Sequence, residues 1–484
     1  MSTKTSALGV INLVLDQASA TPLYKQLLDQ LRQLVIAGQL ASNERLPSSR
    51  NLAGALDVSR TTTLNAYEQL LAEGYLVSRP GSGIFVAEKI RPLPTTAPVA
   101  ANPISSPSSA YIDTPLGFNA GPDAENFPFP LWARCLAKAW RNPSAELLHD
   151  QHHGGYWPLR QQISRYLKSM RGMDCQPQQI IITAGQRDSL TLLSRLLTEP
   201  GDTVLLENPG YSIQQSVIQS LGLNRQFINV DEAGAMPPQE LEALSQANGK
   251  PKFALLTASR QYPLGVTMSG PRRHEWLNYS ADTGCWLIDD DFDSEFTYEG
   301  LSPPLLYNMD QSRRTILMGS FSKLMFQNFR LSYMVVPTNL SDACMDIQAQ
   351  LGGMASLHIQ PALSSFLADR HFAHHMRKMS RLYRHKRDLL VPLIESQLGT
   401  WLAPSIPHSG THLVAFAKLP FDDVLMAKKA RKAGINTQPL SAHYVNQGQM
   451  QGNRNQGLLM GFSGVQEHHF PELLSGLRKL FGEL

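Results

Sequence analysis

The chain has little of what marks a secreted, membrane or metal-binding protein. Its 484 residues include four cysteines, Cys135, Cys175, Cys285 and Cys344. They follow no CxxC or metal-ligand spacing, which is how reduced thiols are used in a cytosolic protein. No apolar run approaches the roughly 20 residues that span a bilayer. The N-terminus is polar and lacks a charged region followed by an apolar one, so no secretory signal is expected and a cytoplasmic location is. Net charge is also small, +3, so any nucleic-acid contact must come from a local patch. What remains is 42% hydrophobic and 17% charged. That suits a globular chain with a substantial core and room for about three domains.

Residues 1–86 read as one small unit. Pro22 suits the first turn of a helix to about Ile36, with Leu23, Leu27, Leu31, Leu34 and Val35 on one face. Pro47-Ser48-Ser49 opens a short helix through Leu56, capped by Ser48 or Ser49. A tight turn at Asp57-Val58 leads to a second cap, Ser59, and a helix from Arg60 to about Glu73. Two helices joined by a short turn make a helix-turn-helix, and the start of the second helix is the part that reaches base edges. Two short strands around Pro80-Gly81-Ser82-Gly83 then form a wing with Arg79 at its tip. Seven Lys/Arg face six Asp/Glu here. Even so, Arg45, Arg50, Arg60 and Arg79 fall on a loop, helix starts and a wing, where arginine suits phosphate contacts and guanine reading. From 87 to 115 the chain is rich in Pro, Ser, Thr and Ala, a semi-flexible tether.

The remainder, 116–484, alternates apolar runs with helices. Gln179-Ile-Ile-Ile-Thr183, Thr203-Val-Leu-Leu-Glu207, Phe253-Ala-Leu-Leu-Thr257, Cys285-Trp-Leu-Ile288 and Thr315-Ile-Leu-Met318 are predicted strands. They argue for a mostly parallel α/β sheet, in which ligands gather at the carboxyl ends of the strands. That rule collects Gly185, Gln186 and Arg187 at a helix start, Tyr211 after a strand, Asp289-Asp290-Asp291 and Lys323. Helix-start amides bind phosphate. The three acids read either as a magnesium site or as the partner of a protonated ring nitrogen. His152 and His153 have no carboxylate or cysteine at ligand spacing and read as a loop, so no metal is expected. Lys323 sits inside Gly319-Ser-Phe-Ser-Lys323, with Arg330 seven residues on. Burial lowers a lysine pKa and makes it a usable nucleophile, and Ser320, Ser322 and Arg330 suit a phosphate. Ser-x-Lys also occurs on ordinary surface helices, so the stretch alone does not decide.

Taken in order, two sets of motifs carry a resemblance. Leu-Pro-Ser-Ser-Arg-Asn-Leu-Ala and Val-Ser-Arg-Thr-Thr resemble the GntR-type winged-helix domain. Thr-Ala-Gly, Glu-Asn-Pro-Gly-Tyr, Arg-Gln-Tyr-Pro-Leu-Gly-Val-Thr-Met, Asp-Asp-Asp-Phe-Asp-Ser-Glu-Phe and Gly-Ser-Phe-Ser-Lys resemble the class I/II aminotransferases of PLP fold type I. Together the chain is similar to the MocR-type transcriptional regulators. The resemblance implies an α/β fold: an N-terminal winged helix-turn-helix, a large mostly parallel sheet domain and a smaller C-terminal α/β domain. It implies pyridoxal 5'-phosphate as cofactor, Lys323 as its Schiff-base lysine and Asp290 as partner of the pyridinium nitrogen. Tyr211 would stack on the ring. The phosphate would lie on Ser320, Ser322, Arg330 and the amides of Gly185, Gln186 and Arg187. DNA contacts would come from Arg50, Ser59, Arg60, Thr61, Thr62, Arg79, Gly81 and Gly83. The implied partners are a double-stranded DNA operator, a small-molecule effector (an amine or PLP itself) and a second copy of the chain.

Two departures from the family pattern bear on function. Phe292 stands where the family has the tyrosine that bonds the cofactor's 3'-oxygen, while Tyr262 stands where it has phenylalanine; the Tyr262 hydroxyl is read as the replacement. Leu459 falls where amino-acid transaminases carry the arginine that clamps a substrate carboxylate. Arg454 is the nearest alternative, in a polar loop. His412 matches a family position, with core and ligand roles both open. The cation-rich run from Arg370 to Arg387 reads as a solvated helix face carrying a buried stripe of Leu382, Leu389 and Leu390. Three functions compete: a PLP-dependent regulator, a working aminotransferase with a DNA-binding appendage, and a regulator whose second half only dimerises. The intact lysine, aspartate and phosphate set and the missing clamp favour the first.

Overall fold

A computed structural model of the chain describes residues 13–88, 117–118, 121–143, 145–148, 153–238, 249–300, 302–352, 355–445 and 455–483. The expected tether beyond residue 88, His152 and Arg454 lie outside these. The chain falls into two compact units, divided between residues 110 and 111.

In the first unit, α1 (Leu23–Ile36) buries Leu27, Leu31 and Val35 of the predicted face together with Leu28, while Leu23 and Leu34 are half-buried. The short helix α2 (Ser49–Leu56) is capped by Ser48, whose side chain accepts from the Asn51 amide. Asp57 takes a left-handed conformation at φ 53°, which a short polar side chain tolerates. That residue turns the chain sharply into α3 (Arg60–Ala72), which Ser59 caps by accepting from the Thr62 amide at 3.1 Å. Leu27, Leu31, Ala66, Tyr67 and Leu70 close the core, and the buried Tyr67 hydroxyl donates to the Pro47 carbonyl. Strand β1 (Leu76–Arg79) pairs antiparallel with β2 (Gly83–Val86). Arg79 therefore ends the ladder opposite Gly83, and the tip of the wing is Pro80-Gly81-Ser82 rather than Arg79.

In the second unit eight strands form one sheet. They are β3 (Ile180–Thr183), β4 (Thr203–Asn208), β5 (Asn224–Asp231), β6 (Gly234–Ala235), β7 (Phe253–Leu256), β8 (Trp286–Asp291), β9 (Thr315–Ser320) and β10 (Ser332–Val335). Their order is β3-β10-β9-β8-β7-β4-β5-β6. The run from β9 to β5 is parallel, and β10 is antiparallel to both its neighbours. Strands β3, β4, β7 and β9 are buried along their whole length, as continuous apolar runs require when helices cover both faces. A smaller antiparallel sheet follows, with order β11 (Leu402–Pro404), β12 (His412–Ala417), β14 (Gly457–Gly461), β13 (Gln438–Pro439).

The long helix His371–Leu398 corrects one expectation. Lys386 and Arg387 are buried, not solvated, and Leu389 is 39% exposed while Leu390 is buried. Tyr383, Lys386, Arg387 and Leu390 recur at three- and four-residue spacing, which puts them on the inner face. Lys386 meets the buried Asp123 at 2.8 Å and donates to the Ser463 carbonyl. Arg387 donates to the Pro407 carbonyl and to Glu299. Each buried charge has a partner, which is the condition for keeping it there.

Candidate functional site

The carboxyl ends of β3, β4, β8 and β9 open onto one cleft. It consists of a cavity of about 360 Å³ adjoining one of about 160 Å³. All ten residues expected to hold the cofactor line it. Gly185, Arg187, Ser320, Ser322 and Arg330 lie round the smaller cavity, Tyr262 lies on the larger, and Gln186, Tyr211, Asp290 and Lys323 border both.

The smaller end is shaped for an anion. The helix Gln186–Leu197 has Gly185 as its cap at φ 123°, a conformation open to glycine. A Cβ at Gly185 would sit 3.5 Å from the Arg330 guanidinium, an ordinary contact distance, so it is the backbone conformation and not space that favours glycine here, and the arginine lies against the helix start. Arg330 is itself left-handed, at φ 50°. Ser320 accepts from the Ser332 hydroxyl at 3.1 Å and from the Ser322 amide at 3.3 Å, leaving its own O–H to donate. Helix amides, a hydroxyl and a guanidinium on one corner suit a phosphate in chemistry and placement.

At the other end of the floor lies Asp290. Strand alternation separates the three consecutive acids. Asp289 accepts from the Leu306 amide, Asp291 pairs with Arg171 at 3.1 Å, and Asp290 points into the cleft. This rules against a shared magnesium site at the three. Gln186 donates to Asp290 Oδ1 at 2.6 Å and Gln214 to Oδ2 at 2.8 Å. Burial, with the negative Asp291, Asp289 and Glu207 nearby, pushes the Asp290 carboxyl up to about 7. A buried carboxylate with two neutral donors and three acids acting on it fits a protonated ring nitrogen as its partner. The residues present therefore fit pyridoxal phosphate at both ends.

Lys323 stands between them. Burial pushes its amine down from the usual lysine range, opposed by Asp293. Asp293 in turn accepts from Arg260 at 3.1 Å and from Thr411 at 3.2 Å. Arg260 is 2% exposed and also donates to the His412 carbonyl at 2.7 Å. His412 is buried with Nε2 at 3.0 Å from the Pro263 carbonyl, and burial holds its ring well below the ordinary histidine range. Tyr262 meets Tyr211 edge-on at 5.3 Å and Phe292 at 6.0 Å, so the two departing residues share one wall. Its hydroxyl lies 3.5 Å from Gln438 Oε1.

Sequence reasoning missed Gln214, Arg260 and Asp293 as parts of the site. Gln214 lies in the first turn of the helix Ser212–Ser220, which Tyr211 precedes as its cap residue. Arg260 and Asp293 lie inside motifs that were read only for their neighbours.

In the first unit, Arg50, Ser59, Arg60, Thr61, Gly81 and Gly83 are exposed, and Thr62 is half-buried. The Thr62 hydroxyl lies 2.8 Å from Ser59 Oγ, so it belongs to the cap. Arg79 donates to Asn43 at 2.5 Å and lies over the Phe85 ring at 4.6 Å, which fixes its guanidinium on the wing.

Comparison with known proteins matches both units. Residues 114–450 match the model described as aminotransferase class I and II, and residues 23–86 match the bacterial regulatory proteins of the gntR family. The chain is 32% identical to the probable rhizopine catabolism regulatory protein MocR of Rhizobium meliloti, over 97% of this chain and 96% of that protein. It is 31% identical to the HTH-type pyridoxine biosynthesis transcriptional regulator PdxR of Corynebacterium glutamicum, over 95% and 96%. Among solved structures, an archaeal alanine:glyoxylate aminotransferase superposes with a TM-score of 0.68 at 23% identity. It covers 76% of this chain and 90% of that one, a likeness of fold.

Proposed function

Because the chain belongs to the MocR-type family of transcriptional regulators, a gntR-family winged helix joined to an aminotransferase class I and II domain, we propose that it binds operator DNA under the control of pyridoxal 5'-phosphate held in the cleft. The observation that carries this is the pairing of an equipped cofactor cleft with a leucine at the carboxylate-clamp position. Leu459 lines the cavity from β14, between Val414 and Gln438. A charge-assisted hydrogen bond contributes about 1.5–3 kcal/mol, and common amino-acid substrates lose that anchor here.

When bound, pyridoxal phosphate supplies an aldehyde carbon that can exchange one amine for another. Lys323 would provide the resident amine, and its place at the cleft is the one an effector amine would compete for. Asp290 keeps the ring nitrogen protonated, with Gln186 and Gln214 holding its two oxygens. Ser320, Ser322, Arg330 and the amides of Gly185, Gln186 and Arg187 bind the phosphate, and Tyr211 covers the ring. Lys323 would remain facing Asp293, which Arg260 and Thr411 tie to the smaller sheet. Alternatively the cofactor itself is the signal. Either switch draws its free energy from unequal affinity for two states. The regulator works as a cytoplasmic homodimer, so that two winged helices read two half-sites.

Tyr262 replaces the missing tyrosine at Phe292 as donor to the cofactor's 3'-oxygen. Burial pushes its phenol well above the usual range, so it stays an O–H donor. Tyr262→Phe is expected to shift the pH midpoint of the bound chromophore by one unit or more, about 1.4 kcal/mol. An unchanged midpoint in a cofactor-loaded variant removes this role.

The test of the function is to follow operator binding and product formation in the same sample. Regulation without sustained turnover is expected, and continued transamination of a common amino acid with a 2-oxo acid contradicts it.

A further inference from the structure

The larger cavity has an unusual charge balance for a fold that handles amino acids. Among its described lining residues the only basic side chains are Lys323, His412 and His443, and there is no arginine. Burial lowers both histidines, so they stay neutral near pH 7. Each already spends a ring nitrogen on a backbone carbonyl, His412 on Pro263 and His443 on Gly210. Arg187 and Arg330 line the adjoining smaller cavity, and Arg260 is held by Asp293 and the His412 carbonyl. A Cβ at Gly410 would lie 2.3 Å from its central carbon, so it is packed in place. The acids Asp290 and Glu207 face the same space.

Opposite Lys323 the wall is apolar or neutral. Leu459 is 5% exposed and packs with Val414 and Leu440, with Tyr262 and Tyr444 against them. Gln438, Asn436 and Thr411 supply amide and hydroxyl groups. A carboxylate placed here would leave water without meeting a cation, a costly transfer. A hydroxyl or amide finds partners of its own kind.

We infer that the effector is a primary amine whose far end is neutral and polar, an amino alcohol or amino amide rather than an amino acid. The inference rests on the reading that an amine is sensed at Lys323, and it narrows the chemical class of that amine.

The experiment uses full-length, cofactor-loaded protein and matched pairs: ethanolamine against glycine, and 4-aminobutanol against 4-aminobutyrate. Dissociation constants are read from the change in the bound cofactor's absorbance. The amino alcohol of each pair is expected to bind about tenfold tighter or better, the factor that 1.4 kcal/mol represents. Leu459→Arg is expected to reverse the order by giving the carboxylate a partner. Amino acids binding as tightly as the alcohols in the unaltered protein overturn the inference alone. So does a cofactor-loaded Leu459→Arg protein with the original order. No absorbance response to any of the four overturns amine sensing itself. Should Leu459→Arg fail to hold the cofactor, the ranking in the unaltered protein decides.

Discussion

Lys323→Ala is expected to abolish the covalent attachment of the cofactor and every response of DNA binding to amines, while leaving both units folded. Lys323 lies in the turn after β9, partly exposed to the cleft, and borders both cavities beside Asp290. Removing it leaves Asp293 still paired with Arg260 and Thr411, so no buried charge is orphaned and the fold has no reason to fail. The phosphate cradle and Asp290 remain, so residual non-covalent binding is expected, weaker by about a hundredfold or more, near 3 kcal/mol. Absorbance spectroscopy reads the attachment, equilibrium dialysis the affinity, and circular dichroism the fold. A variant that keeps both its cofactor absorbance and its amine response removes Lys323 from the site.

Arg60→Ala is expected to weaken operator binding by about 10- to 100-fold without unfolding the winged helix. A base contact contributes about 1–3 kcal/mol and a phosphate contact lowers the salt slope by about one. Arg60 opens α3 and is exposed. Its backbone carbonyl, which accepts from the buried Thr63 hydroxyl, survives the change. So does the Ser59 cap. The loss is therefore one of contact, not of helix. Fluorescence anisotropy at several salt concentrations separates a base contact, which relaxes sequence preference, from a phosphate contact, which does not. Unchanged affinity for operator DNA assigns the contact surface elsewhere.

Much of this was legible in the sequence because the decisive signals are local. The continuous apolar runs gave β3, β4, β7, β8 and β9 to within a few residues, and the rule of strand carboxyl ends gathered Gly185, Tyr211, Asp290 and Lys323. Helix caps at Ser48 and Ser59 were readable because a hydroxyl before a helix has one obvious use. What escaped depends on contacts far apart in the chain. Nothing near Lys386 announces that Asp123 waits for it 263 residues away, so a buried fastener read as a solvated charge. Arg260 joins Asp293 to His412 across 33 and 152 residues, a link that only the packing of the smaller sheet creates. The wing was placed correctly, yet Arg79 fell at the end of a strand ladder because Gly83, at φ 112°, begins the return strand.

Cofactor occupancy is expected to change DNA binding without driving catalysis. One measurement addresses it: the affinity of the full-length protein for its operator, with and without saturating pyridoxal phosphate, with 2-oxo acid formation followed in parallel. A change of about fivefold or more between the two states is expected, a coupling of about 1 kcal/mol or more, with less than one turnover per site. Equal DNA affinity in both states, accompanied by sustained amino-acid turnover, would contradict it.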